Sequence, residues 1–110
     1  MFIRLFAECD DKETALDIYR DVMDGMKDNV VNEEIIEVKP YWKIEGIFVV
    51  EAEMNLKREL NDEELNQFLA SISDKWLRFG EPADEFLASV TTEGCKYMKK
   101  GVYMINIHLS

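Results

Sequence analysis

Residues 44–56 read IEGIFVVEAEMNL. Ile44, Gly46, Phe48, Val50, Ala52, Met54 and Leu56 alternate without a break. Glu45, Glu51, Glu53 and Asn55 fall on the opposite side, with Ile47 and Val49 between them. Successive strand side chains point to opposite faces, whereas a helix repeats every 3.6 residues, so this stretch predicts a strand over 44–56. One face is apolar and the other mixed, as expected of a sheet that buries one side more deeply than the other.

Working outward, residues 2–8 form a second clear strand pattern. Ile3, Leu5 and Ala7 share one face, and Phe2, Arg4, Phe6 and Glu8 the other. Two apolar faces predict a strand in the middle of the sheet. A helix follows, capped by Asp10 or Asp11, with Ala15, Tyr19, Val22 and Met26 on its apolar face and Leu16 and Met23 widening it. Gly25 weakens its last turn and Asp28-Asn29 is the expected exit. Val30 to Lys39 predicts another strand, and Pro40-Tyr41-Trp42-Lys43 the connection that leads into 44–56. Asn61 with Glu64 has capping-box spacing and opens a second helix with Leu65, Phe68, Leu69, Ile72 and Trp76 on its apolar face. Gly80 is placed as its C′ residue, with Pro82 beyond. Phe86 to Thr92 and Val102 to Leu109 close the chain as short strands. In the latter, Tyr103, Ile105, Ile107 and Leu109 are expected on one face, and Val102, Met104, Asn106 and His108 on the other.

The expected architecture is therefore a single α+β domain over 1–110, with an antiparallel sheet of four to five strands and two helices on one face. Its order is βαββαβ, ferredoxin-like, with an extra strand. An architecture of this kind hosts many unrelated functions and identifies none.

Charge is more informative. The chain has 13 Lys and Arg against 23 Asp and Glu, a net charge of −10, with 47% apolar residues. The apolar content suits a folded core rather than a disordered chain. The acidity disfavours sequence-independent nucleic-acid binding and docking on anionic lipid, both of which need Lys and Arg. Residues 1–55 hold 14 acidic and 6 basic side chains, and residues 56–110 hold 9 and 7. The longest apolar run, Ile47 to Val50, is far short of the ~20 residues of a membrane span, and residues 1–8 do not read as a signal peptide. A cytoplasmic protein is expected, with Cys9 and Cys95 as reduced thiols.

On a helical wheel Asp17, Asp21, Asp24 and Asp28 share one face at i, i+4, i+7 and i+11, opposite the apolar face. Like charges at this spacing destabilise a helix by roughly 0.2–0.5 kcal/mol per pair, and Asp is a poor interior helix former. The row reads either as a solvated face or as a patch that meets a basic partner and steers its approach. With Glu33 and Glu34 it forms the first candidate partner-binding surface. The second is the sheet face left free by the helices: Glu45, Ile47, Val49, Glu51, Met104 and His108, in which apolar residues are rimmed by charge. There the alternative is that a loop or the Tyr41-Trp42 turn covers Ile47 and Val49.

No catalytic set is legible. His108, the only histidine, has no evident orienting partner. Ser71, Ser73 and Ser89 lie in no G-x-S-x-G elbow, and there is no glycine-rich phosphate loop. Glu33-Glu34 and Asp62-Glu63-Glu64 lack the pattern of a calcium loop. The latter three read as a helix N-terminus matched to its dipole. No metal or cofactor is expected. Trp42 with Tyr41, and Trp76 near Phe79, read as core or turn packing. The expected function is that of a small binding protein that occludes a basic protein partner. Its most concrete form is an immunity protein neutralising a bacterial toxin, with a nuclease as one such target. The alternative is a ferredoxin-like homodimer binding a small molecule or a regulatory partner through the open sheet face.

Overall fold

The computed structural model of the chain describes residues 1–109. It is α+β. Six strands, β1 (Phe2–Glu8), β2 (Val30–Pro40), β3 (Ile47–Leu56), β4 (Leu77–Gly80), β5 (Ala83–Ser89) and β6 (Val102–His108), form one antiparallel sheet in the order β2-β3-β1-β6-β5-β4. Two helices, α1 (Lys12–Met23) and α2 (Asp62–Ile72), pack on one of its faces. β1 is central, as its two apolar faces require. Ile3, Leu5 and Ala7 are fully buried beneath the helices with Val50, Ala52, Phe86, Ala88, Ile105 and Ile107 from the neighbouring strands. Ala15, Tyr19, Val22 and Met23 of α1 close this core from above, together with Phe68, Leu69 and Ile72 of α2.

Asp11 caps α1, its carboxylate accepting the Thr14 backbone N–H at 2.7 Å. After Met23 the chain tightens into a 3-10 segment, Asp24–Asn29, rather than leaving the helix at Asp28-Asn29. The Asn61 capping box is complete: its side chain accepts the Glu64 N–H at 2.8 Å, and the Glu64 carboxylate accepts the Asn61 N–H at 3.1 Å. The Arg58 guanidinium donates to the same carboxylate.

Three expectations need correction. First, the sheet has six strands rather than four to five, because α2 stops at Ile72 instead of running on to Gly80. Ser73 breaks away in an extended conformation, and its hydroxyl is held among the Lys75 N–H and the Tyr97 carbonyl. Trp76 keeps its helical phase by folding back: its indole N–H donates to the carbonyls of Leu69 at 2.9 Å and Ser73 at 3.1 Å. The Leu69 carbonyl also accepts the Ser73 N–H, so the indole shares one acceptor at the helix end and takes up a second, and Leu77–Gly80 is left to form β4. Second, β3 starts at Ile47; Ile44, Glu45 and Gly46 belong to the preceding turn. The strand after it in the expected series is Ala83–Ser89 rather than 86–92. Third, β6 does not alternate throughout. The register slips by one residue against β1 between Phe6 and Ala7, so Val102 joins the main core while Tyr103 and Met104 both turn to the other side. An inserted residue in one strand reverses the phase on either side of it.

Gly101, just before β6, has φ +86°, and a Cβ there would lie 2.7 Å from the Ile18 Cδ1. Gly101→Ala should lower stability by about 1–3 kcal/mol through backbone strain and overpacking. Adding Ile18→Ala should recover only part of the loss, because the backbone strain remains; thermal unfolding of both variants measures this. A second expectation concerns acid. The Arg58 hydrogen bond, with the Asn61 N–H, holds the Glu64 carboxyl down at about 2 from an ordinary 4.5. A carboxyl depressed on folding contributes stability that is present above its unfolded value and is lost as the pH falls towards the folded one. Glu64→Gln should therefore flatten the melting temperature against pH between 4.5 and about 2, read by circular dichroism at a series of pH values.

Candidate functional site

The first candidate surface does not survive as one row. Asp17 and Asp21 lie on α1, and Asp24 is its C-cap. All three are exposed and line an open groove of about 740 Å³ with Glu8, Ile18 and Lys100. Asp17 is paired with Arg20 and Asp24 with Lys27, each at 3.3 Å. Asp28 lies in the 3-10 segment, where the α-helical spacing no longer applies, and lines a different groove of about 400 Å³ beside Arg58 and Phe68. Glu33 is on the helix side of β2 and accepts the Tyr19 hydroxyl at 2.6 Å. This contact, together with burial, pushes the Tyr19 phenol far above its ordinary value, burial being the larger cause. Glu34 lies opposite Glu53 and so faces away from the helices. The six acids thus fall into separate places: three on the helix layer, one in the second groove, and two on opposite sides of β2.

The second candidate surface holds together, with one exception. Directly opposed residues in an antiparallel sheet share a face, and the registers place Phe2, Arg4, Phe6 and Glu8 of β1 beside Ile47, Val49, Glu51 and Glu53 of β3 on the side without helices. Met104, Asn106 and His108 of β6 join them, and beyond these Glu85 and Leu87 of β5 and Leu77 and Phe79 of β4. Glu45 is the exception, exposed in the β2–β3 turn.

At the centre of this face Phe6, Ile47 and Val49 are buried, although no helix covers them. They form a small cluster with Tyr41, Tyr103 and Met104. Tyr41 closes it, its ring meeting the Phe6 ring edge-on at 5.0 Å between centroids. The turn at Tyr41 therefore does cover Ile47 and Val49. Further along the sheet, Leu77 and Phe79 on β4 stay 42% and 45% exposed. His108 sits at the same end, with Nε2 3.4 Å from the Glu85 carboxylate and its ring 6.1 Å from that of Phe2.

The charges on this face are arranged at a cost. Glu34 lies directly opposite Glu53, and Glu37 directly opposite Glu51. Like charges in opposed positions destabilise a sheet. Arg4 binds Glu51, with its Nε 2.8 Å from the carboxylate. Among the described residues Glu34, Glu37 and Glu53 form no ion pair. The expected surfaces include Glu34 and Glu51, and alternation along β3 puts Glu53 on the same side as Glu51, but Glu37, Arg4 and Phe6 belong to neither. The alternation of β1 and β3 nonetheless places Arg4, Phe6 and Glu53 on the correct faces. What was missing was the strand order, which alone sets Glu37 against Glu51 and Arg4 beside it.

No group of three His, Cys, Asp or Glu side chains among the described residues is gathered to hold a metal ion. The cysteines are both free thiols, Cys9 with its thiol pushed up by burial. No described helix is long and apolar enough to cross a membrane. No protein-family model, no curated protein and no solved structure matches the chain.

The opposed glutamates give a direct expectation. Glu53→Lys converts the Glu34–Glu53 repulsion into an attraction and should raise stability by about 0.5 kcal/mol. Denaturant unfolding of the variant beside the wild type, at low and high salt, reads the gain and its screening.

Proposed function

We propose that the chain is a small acidic binding protein that occludes a basic protein partner, and that the helix-free sheet face is where the partner docks. The observation that carries this reading is the pair of opposed glutamates, Glu34 against Glu53 and Glu37 against Glu51, beside an apolar cluster. Arg4 offsets the charge of Glu51 within the fold, but Glu34, Glu37 and Glu53 have no such partner among the described residues, and a protein bearing Lys and Arg would turn their repulsion into an attraction and be steered towards the face. Apolar contact from Met104, Leu77 and Phe79 would supply the non-directional part of the interface.

In its most concrete form the protein is an immunity protein and the partner a bacterial toxin domain. A nuclease fits best, because surfaces that bind nucleic acid are basic and carboxylates can stand where phosphates would. The mechanism is occlusion without chemistry. Self-association through the same face is the weaker reading, since a second copy would set its own glutamates against these.

Charge reversal separates the two acidic surfaces. With the partner purified after capture from host extract, Glu37→Lys with Glu53→Lys should slow association by about tenfold at low salt and flatten its salt dependence. Asp21→Lys with Asp24→Lys should change the on-rate little. The opposite pattern moves docking to the α1 surface, and an on-rate indifferent to both pairs removes the electrostatic mechanism. Light scattering that returns a dimer at micromolar concentration favours the homodimer instead.

A further inference from the structure

The helix-free face is not uniformly acidic. Its carboxylates gather towards one end, where Glu34 and Glu53 are directly opposed and Glu37 lies on the next rung, opposite Glu51. The other end carries ammonium groups. Lys39 is opposite Val49, which is in turn opposite Phe6, so its side chain lies on the same face. From there the chain turns back through residues 41–46. Tyr41 covers Phe6, the Trp42 ring lies 6.4 Å from that of Tyr41, and the Lys43 ammonium is 5.1 Å from the Trp42 centroid. Val49 and Glu53 are four positions apart on β3, so about 13 Å separates the two ends.

Neither lysine is neutralised within the fold. Both are exposed, and among the described residues neither forms an ion pair, although Glu37 and Lys39 share a face of the same strand. The other acids of this end are Glu45, exposed in the turn, and Glu8, which lines the α1 groove with Lys100. Trp42 is 82% exposed, and among the described residues its indole N–H makes no hydrogen bond, in contrast to that of Trp76. The turn end therefore presents N–H donors, two of them cationic, and the opposite end presents carboxylates.

We infer that this face is bipolar and selects a bipolar partner: Glu34, Glu37 and Glu53 receive its Lys and Arg side chains, and Lys39 and Lys43, with the Trp42 indole N–H, receive a carboxylate that borders those side chains at about 13 Å. This deepens the reading of the sheet face as the surface for a basic protein, and rests on it. What it adds is the rejection of other basic proteins. A patch with cations throughout would set some of them against Lys39 and Lys43, and like charges brought together in an interface suppress a wrong partner and fix the register of the right one. A partner that carries the carboxylate gains at both ends and docks only one way round. An anionic lipid surface would satisfy the lysines but meet the glutamates as well. A second copy turned end for end would set Glu34 over Lys39, but the same two-fold lays β2 on β2, with Glu37 against Glu37 and Glu53 over Val49.

The test uses the full chain and three synthetic peptides of equal length, titrated at low salt by calorimetry. The first is a block of lysines, a short Gly-Ser spacer and a pair of glutamates. The second has glutamines in place of the glutamates, and the third has the composition of the first with lysines and glutamates interleaved. The block peptide should bind wild type about tenfold more tightly than the interleaved one, and at least as tightly as the glutamine peptide despite its lower net charge. Lys39→Gln with Lys43→Gln should weaken the block peptide by about tenfold and leave the glutamine peptide no weaker. An unchanged melting temperature shows that the variant is folded, as expected for two exposed side chains. Tighter binding of the glutamine peptide to wild type, lost in the Glu37→Lys, Glu53→Lys variant, overturns the bipolar face and leaves the docking face standing. Equal binding of the block and interleaved peptides, or a block preference that survives the lysine variant, does the same. Failure of all three peptides to bind overturns the docking reading and this inference with it. A dimer in light scattering that the lysine variant disperses assigns the pattern to a second copy, and binding to phosphatidylserine vesicles with no preference among the peptides assigns it to lipid; either overturns the inference.

Discussion

β1 is hydrogen-bonded along both edges, buried along its whole helix side and at Phe6 on the other, and the rest of the molecule is arranged around that constraint. Ile3, Leu5 and Ala7 need a cover on one face and Phe6 needs one on the other. The helices can serve only the first. Six strands at about 4.8 Å span roughly 24 Å, and two helices each about 10 Å wide occupy most of that width on one side. The other face has to be covered by the chain's own turns and side chains. Tyr41, Tyr103 and Met104 do so over the middle of the sheet, and Leu77 and Phe79 at the β4 edge are left in contact with water.

This division gives the two faces different energetics. Beneath the helices, burial is complete and apolar, and buried side-chain polar atoms there and elsewhere among the described residues have hydrogen-bond partners. On the other face a small dry cluster adjoins a field of glutamates in which Arg4 is the cation that makes an ion pair with Glu51. Local pairing occurs on both surfaces: Asp17 and Asp24 have cationic partners in Arg20 and Lys27, and Glu51 has one in Arg4, while Asp21, Glu34, Glu37 and Glu53 form no ion pair among the described residues. The long edge strand β2 is interrupted by two register shifts and carries Glu33, Glu34, Glu37 and Lys39. Bulges and charges of this kind discourage further strands from adding at an edge.

The elements that were legible in the sequence are those whose signal is local. The alternation within 44–56, present from Ile47 onward, the two-faced pattern of 2–8 and the Asn61 capping box each depend on residues a few positions apart. The misreadings share a different cause. Trp76 lies at helical spacing from Ile72, and only the hydrogen bonds of its indole to Leu69 and Ser73 show that it stays close to α2 without belonging to it. Asp28 is in phase with Asp17, Asp21 and Asp24 on an ideal wheel. The change to a 3-10 segment takes it out of that phase. Tyr103 is in phase with Ile105 until a bulge, set by pairing with a strand almost a hundred residues earlier, turns it over.

By itself the sequence determined that the chain folds as α+β, which strands have a buried face, and that negative charge is concentrated in its first half. Periodicity, capping and composition suffice for these, because each is a property of neighbouring residues. The tertiary structure alone decided which acids meet. Glu33 and Glu34 are adjacent in sequence yet lie on opposite sides of the sheet, while Glu37 and Glu51 are distant and lie face to face. Adjacency along a strand sends side chains apart, and adjacency across a sheet brings them together. A charged surface on a β protein is therefore set by strand order and register, which no local pattern records.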